Sequence, residues 1–229
     1  MTQGMWTRVD AYFSQLLLPP DAVLNAVQAA SDAAGLPPIQ VSPTQGKFLW
    51  MLGRLLNAGR ILEIGTLGGY STVWLARALA PGGRLITLEV DSRHADAARE
   101  NMKRAGLADR VEVRNGSAHD LLPALAAEGA APFDLVFIDA DKASTAVYLD
   151  WSLRLTRAGG LIIIDNVVRQ GKVIDRQIDD ASVQGIRRAM DWLAAEPRLS
   201  ATVLQTVDGK GYDGMVLAYV IDTSYDGRA

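Results

Sequence analysis

Residues 61–71, ILEIGTLGGYS, constrain the fold more than any other stretch of the chain. They read as a buried strand, 61–64, running into a glycine-rich turn at Gly65, Gly68 and Gly69, with an apolar helix following from Tyr70. Glycine admits positive φ and lets a ligand come close to the backbone. Ligands of open α/β sheets bind at such strand ends. The spacing narrows the ligand. Dinucleotide-binding turns use G-x-G-x-x-G, whose second glycine makes room for a pyrophosphate. Here that position is Leu67, and the pattern is Gly65-x-x-Gly68-Gly69. Glu63 stands two residues before the first glycine, where a carboxylate suits a cationic ligand better than one carrying phosphates. The combination points to S-adenosylmethionine (SAM), a sulfonium.

From residue 60 the rhythm is strand, helix, strand, helix. Apolar runs at 60–64, 84–89, 110–114, 133–138 and 160–164 alternate with helical segments at 70–79, 92–105, 118–128 and 143–155, and 184–195 reads as one more helix. Continuous apolar strands separated by helices imply a parallel sheet covered on both faces. Two further runs, 200–206 and 211–221, flank the turn Asp208-Gly209-Lys210-Gly211 and read as a hairpin closing the sheet edge. Residues 5–58 look helical in three pieces, 9–18, 20–34 and 43–57, broken by Pro19-Pro20 and by Gly35-Leu36-Pro37-Pro38. Ser42-Pro43 makes a cap and first-turn pair for the third. The 229 residues are therefore expected to form a single domain, 1–229, with N-terminal helices over 1–58 and an α/β core over 59–229.

Composition removes several classes of function. The net charge is −3 with no basic stripe, which argues against a nucleic-acid partner. The chain has no cysteine, so thiol catalysis, disulfides and thiolate metal sites are excluded. No apolar run approaches the roughly 18 residues needed to cross a bilayer. Arg8 and Asp10 interrupt any signal-peptide pattern. The expectation is a cytoplasmic protein acting on small molecules, with neither membrane nor nucleic acid as partner.

The second strand ends at Glu89, 24 residues after Gly65. A carboxylate there can accept hydrogen bonds from both hydroxyls of an unphosphorylated ribose; equally, it can cap the helix starting near Ser92, a task open to Asp91 as well. The loop 114–119 after the third strand either borders an adenine ring or is a plain turn with Ser117 as N-cap. Ala118 is small enough to admit a flat ring, and His119 either contacts the ring or faces solvent. The fourth strand ends in FDLVFIDADK and the fifth in GGLIIIDNVV, which puts Asp139, Asp141, Lys142, Asp165 and Asn166 on one sheet edge. Either segment alone also fits an N-cap or a turn. Together, Asp139, Asp165 and Asn166 offer three hard oxygen ligands suited to Mg²⁺, and the lack of nearby His or Cys argues against zinc. Methyl transfer to oxygen needs an alkoxide or phenolate in line with the sulfonium carbon. Mg²⁺ stabilises the deprotonated oxygen, and a catechol can chelate it. Lys142 can take the proton, or it is a surface lysine in the first turn of a helix.

With these motifs in place, the chain resembles the cation-dependent O-methyltransferases related to catechol O-methyltransferase and the plant caffeoyl-CoA O-methyltransferases. The resemblance covers about 41–221 and rests on EIGTLGGYS, the Glu closing LITLE, AGLADRVEVRNGSA, FDLVFIDADK, and GGLIIIDNVV followed by GKV. It implies a Rossmann-like, seven-stranded, mostly parallel sheet with a reversed last strand, helices on both faces and an N-terminal helical extension. It implies that Val41, Glu63, Gly65, Thr66, Gly69, Ser71, Glu89, Ala118 and Asp139 surround SAM, with Ser71 bonding the methionine carboxylate at a helix start. It further implies Asp139, Asp165 and Asn166 as ligands of Mg²⁺ (or Mn²⁺ or Ca²⁺), catalytic roles for Lys142 as base and for Asp139, an aromatic small-molecule acceptor, and a homodimer. Two positions depart from the family pattern: Arg169 stands where many relatives carry an aromatic residue, often Trp, and Thr145 where Tyr is frequent, although Tyr148 remains. Both lie in the acceptor region, and Arg169 suggests an acceptor with a carboxylate unless it faces solvent. The competing readings are a metal-independent methyltransferase and a non-catalytic SAM-binding protein; a dehydrogenase would need the glycine spacing that the turn lacks.

Overall fold

The computed structural model describes residues 2–221; residue 1 and residues 222–229, the ends of the expected domain range, lie outside the described residues. The apolar runs become β1 (Arg60–Ile64), β2 (Arg84–Glu89), β3 (Val111–Asn115), β4 (Phe133–Ile138), β5 (Thr156–Asp165), β6 (Leu199–Asp208) and β7 (Gly211–Val220). The helices are α1 (Gln3–Leu17), α2 (Ala22–Ala33), α3 (Pro43–Leu55), α4 (Tyr70–Ala78), α5 (Ser92–Arg104), α6 (Ala118–Ala127), α7 (Thr145–Leu155) and α8 (Ala181–Ala195). One sheet forms in the order β3-β2-β1-β4-β5-β7-β6. Strands β1 to β5 are parallel. Strand β7 enters antiparallel between β5 and β6. The Rossmann-like sheet with a reversed last strand is borne out, and it is the second strand of the hairpin that joins the sheet, leaving β6 outermost. None of the helices among the described residues is long and apolar enough to cross a membrane.

Alternation along the strands gives each face its own core. Leu62, Ile64, Val136, Ile138, Ile162 and Ile164 pack with α6, α7 and α8. Ile61, Leu135, Phe137 and Ile163 face the other way, toward α2, α3, α4 and α5. Helix α1 contributes no buried residue. It is tied to the hairpin tip by Gln3 Nε2, which donates to the Asp208 and Gly209 carbonyls at 3.0 Å.

Several ends differ from the sequence reading, for local reasons. Helix α2 starts at Ala22 because Asp21 caps it, accepting from the Val23 and Leu24 N–H groups. Helix α8 starts at Ala181 because Asp180 accepts from the Val183 N–H. Strand β5 begins four residues early, Thr156 pairing with Phe133 ahead of a register shift. Lys142–Ser144 forms a 3₁₀ turn before α7, and a second 3₁₀ segment at Arg169–Ile174, not foreseen from sequence, holds Gln170 and Gly171 at positive φ.

Helix α8 grips two of these irregular segments. Arg188 Nη2 donates to the Ala143 carbonyl at 3.1 Å, and Arg187 Nε to the Val173 carbonyl at 2.9 Å. Its close approach depends on Gly185, where a Cβ would stand 2.0 Å from the Lys142 carbonyl oxygen and 2.6 Å from Ala143 Cα. Alanine favours a helix over glycine by about 1 kcal/mol. A backbone clash outweighs that gain, since overpacking costs about 1–3 kcal/mol or more. Gly185→Ala is expected to lower the thermal midpoint, followed by circular dichroism, by several degrees; an unchanged or raised midpoint would show that α8 backs away without penalty.

Candidate active site

Strands β1, β2, β4 and β5 end on one edge, and their register makes the ends level. Ile64 pairs with Leu88 and with Ile138, and Ile138 pairs with Ile164. The next residues, Gly65, Glu89, Asp139 and Asp165, therefore stand side by side at a strand spacing of about 4.8 Å. The Asp139 N–H donates to the Ile64 carbonyl at 2.8 Å. Gly65 has φ +98°, and a Cβ there would lie 2.1 Å from the Asp139 carbonyl oxygen. The first glycine is thus demanded by the backbone of the neighbouring strand.

Glu89 fixes the turn. Its Oε2 accepts from the N–H groups of Thr66 (3.1 Å) and Leu67 (2.8 Å), and its Oε1 from that of Asp91 (2.9 Å). Asp91, not Glu89, caps α5. Helix α4 begins after Gly69 with no side-chain cap, so its first N–H groups lack helical partners and carry partial positive charge.

Glu63 lies beneath this turn, fully buried on the α4 face of β1. It accepts from the hydroxyls of Ser71 (2.6 Å), Thr72 (2.5 Å) and Thr87 (2.7 Å). Burial pushes its carboxyl up to about 7, against the pull of those three hydroxyls.

A cleft of about 550 Å³ runs along the edge. Of the residues expected there, Val41, Gly65, Thr66, Ser71, Glu89, Ala118, Asp139, Lys142 and Asn166 line it, whereas Glu63, Gly69 and Asp165 stand behind its wall. Tyr148, noted in the sequence as the tyrosine that remains after DADK, lines it too, and so do Ile39, Leu67, Tyr70 and His94, which were not foreseen. Tyr70 adjoins the glycine turn, a signal available in the sequence; His94 sits in the first turn of α5, where strand-end reading does not reach. Ser117 caps α6 through the His119 N–H while Gly116 and Ala118 face the cleft, so the loop is both a capping turn and a wall. His119 is exposed, its Nε2 3.1 Å from Ser144 Oγ. Asp141 accepts from the Tyr148 hydroxyl and, at 3.0 Å, from the Ser144 N–H. Although burial opposes it, these bonds hold Asp141 below the usual carboxylate range, and burial together with Asp141 pushes Tyr148 up to about 12.

On the same edge, Lys142 Nζ donates to Asp139 Oδ1 at 2.8 Å, its side chain only 8% exposed. Asp165 is 4% exposed; its Oδ1 accepts from the Asn166 N–H (2.8 Å) and its Oδ2 from Gln45 Nε2 (2.7 Å). Burial first, then the charge of Asp139, pushes Asp165 up to about 7, while Lys142 opposes them. Among the described residues no group of three or more His, Cys, Asp or Glu is disposed to hold a metal; the set at this edge is two carboxylates and the Asn166 amide. Lys142 is salt-bridged to Asp139 and not to Asp165, Lys210 acts on both carboxylates by charge alone, and the donors are hard oxygens, a set that fits Mg²⁺.

Arg169 lines the same cleft with φ +54°. Asp213 Oδ1 holds that backbone by accepting from the N–H groups of Val168 (2.9 Å), Arg169 (3.0 Å) and Gly214 (2.9 Å). The Arg169 guanidinium forms no salt bridge among the described residues.

The chain is similar to known proteins in sequence and in fold. A family model described as O-methyltransferase matches residues 17–219. A catechol O-methyltransferase of Niastella koreensis is 51% identical over 220 residues, covering 96% of this chain and 100% of the relative. The solved O-methyltransferase from Bacillus cereus, in complex with SAH, has a TM-score of 0.95 at 55% identity, covering 96% of this chain and 100% of that one. The O-methyltransferase TomG from Streptomyces achromogenes, involved in tomaymycin synthesis and solved with SAM, has a TM-score of 0.93 at 48% identity, covering 97% and 100%. On its sheet order, its strand-end cleft and these likenesses, the chain belongs to the O-methyltransferase family, enzymes that move a methyl group onto an oxygen.

Proposed function

We propose that this enzyme is SAM-dependent and divalent-cation-dependent and methylates one hydroxyl of a vicinal aromatic diol. The observation that carries the reading is that Asp139 and Asp165 follow paired residues of adjoining strands, beside the glycine turn on the same sheet edge. The SAH and SAM held by the B. cereus enzyme and by TomG support the donor, and the name of the N. koreensis relative supports a catechol acceptor.

For the donor, the uncapped start of α4 suits the methionine carboxylate. Ser71 Oγ already donates to Glu63, so it is the Ser71 backbone N–H that is open to that carboxylate, and Glu63 acts from beneath by fixing Ser71. Glu89, whose Oε2 already accepts two backbone N–H groups and Oε1 one, has a lone pair left on Oε1 for a ribose hydroxyl. Gly116 and Ala118 leave room for the adenine, with Thr66, Gly65 and Val41 along the nucleoside and methionine. Gly69 contributes through the turn it closes.

For the acceptor, Asp139, Asp165 and Asn166 would hold Mg²⁺ (or Mn²⁺ or Ca²⁺), which supplies a Lewis acid favouring the ionised acceptor oxygen. Lys142 receives the acceptor proton at Nζ. Nζ lies 2.8 Å from Asp139 Oδ1, so a carboxylate drawn to the metal would leave it facing the acceptor. Arg169, lining the cleft with no salt bridge among the described residues, supports an acceptor that carries a carboxylate. The apolar side chains exposed on α1, among them Tyr12 at 59%, Leu16 at 63% and Leu17 at 68%, support a homodimer.

Methyl transfer from labelled SAM to 3,4-dihydroxybenzoate is expected to vanish in EDTA and return with Mg²⁺. Asp139→Ala is expected to remain folded and to lose the Mg²⁺-stimulated rate by about a hundredfold or more, as loss of a metal ligand should; full activity in excess chelator would point to metal-independent transfer. Arg169→Gln is expected to raise KM for the carboxylate about tenfold, the loss of one charge-assisted hydrogen bond, and to leave KM for the matching amide unchanged. Equal KM values for acid and amide in the parent enzyme would remove the carboxylate from the reading.

A further inference from the structure

Asp165 is held from outside the sheet. The donor on its Oδ2, Gln45 Nε2 at 2.7 Å, lies 120 residues away in sequence, in the first turn of α3. That turn is itself fixed on several sides. Ser42 Oγ accepts from the Gln45 N–H at 3.3 Å, and Thr44 Oγ1 donates to Asp10 of α1 at 2.9 Å. Gly46 presses on Trp74 of α4, where a Cβ would meet the indole at 2.4 Å. Residue 45 therefore reaches Asp165 from an anchor independent of the strand ends.

The chemistry of the contact is specific. With the Gln45 amide turned over, its carbonyl oxygen would face a carboxylate, so only the donating orientation is attractive. The other oxygen of Asp165 takes the Asn166 N–H. One donor on each oxygen fixes the plane of the carboxylate while leaving a lone pair on each. Asp165 is almost shut off from water, and the amide is its one side-chain donor among the described residues. A neutral donor is also the fitting one here: a lysine would bring a rival cation, and a glutamate would repel.

We propose that Gln45 is a positioning residue, its amide holding the Asp165 carboxylate in the orientation from which it ligates the divalent cation with Asp139 and Asn166. The inference rests on the metal reading given under Proposed function. Partners that orient a metal ligand are commonly worth about 10–100-fold in metal affinity.

The test uses Mn²⁺ itself as probe, counted by electron paramagnetic resonance of the free ion, on the full chain without SAM or acceptor. Gln45→Met keeps the length and removes the donor; Gln45→Asn keeps the amide but leaves it one methylene short, and serves if the first variant does not fold. Either is expected to bind Mn²⁺ at least tenfold more weakly, to bind SAM as the parent does by calorimetry, and to recover methyl transfer when Mn²⁺ is raised. A folded variant with parental Mn²⁺ affinity would overturn the proposal, as would a parallel loss of SAM affinity, which would mark Gln45 as general packing. Absence of Mn²⁺ binding by the parent enzyme would instead sink the metal reading, and the proposal with it.

Discussion

The hydrogen bond from the Asp139 N–H to the Ile64 carbonyl extends the pairing of β1 and β4 one step past their apolar runs. It seats Asp139 beside Gly65 so closely that no side chain fits at position 65. From that contact the rest of the edge follows. Register carries Asp165 level with Asp139 on one side and Glu89 level with Gly65 on the other. The glycine turn and the carboxylate pair come to adjoin on one edge because a single backbone contact sets both.

Charge at this edge is strongly one-sided. Glu63, Glu89, Asp139 and Asp165 crowd the strand ends, with Lys142 the ammonium paired among them. Each carboxylate is kept by a different device: three hydroxyls for Glu63, three backbone N–H groups for Glu89, an ammonium for Asp139, and an amide with one N–H for Asp165. Glu63 and Asp165, held by neutral hydroxyl, amide and N–H donors, are pushed up to about 7 by burial. Buried acids are costly unless paired, and this edge is arranged for ligands that bring positive charge: a sulfonium and a divalent ion in the reading proposed above.

Much of this was legible from the residues. The bounds of β1, β2 and β4 agree with the apolar runs, because central parallel strands are buried on both faces and read as unbroken. The caps Ser42 and Ser117 were visible for the same local reason. Position on a strand end was legible too, but depth was not. Glu63 and Asp165 read as cleft residues and lie behind the wall, since strand alternation assigns a face without saying how far the neighbouring helix closes over it. The left-handed run at Arg169 and Gln170 was invisible, being set by the Asp213 carboxylate from β7, a contact 44 residues distant. Gln45 escaped notice for a similar reason, its partner lying 120 residues downstream.

Helix α8 binds two segments at the cleft, through Arg188 to the Lys142–Ser144 turn and through Arg187 to the 3₁₀ segment at Arg169–Ile174. The two segments are therefore rungs of one rigid brace. Any shift of backbone that widened the mouth for a bulkier acceptor would pull on the turn that carries Lys142. Side chains projecting from the brace, Arg169 among them, are free of that linkage. Such a frame lets side chains at the mouth be exchanged while the turn carrying Lys142, the base in the reading proposed above, stays put, and it penalises insertion or deletion in the loop.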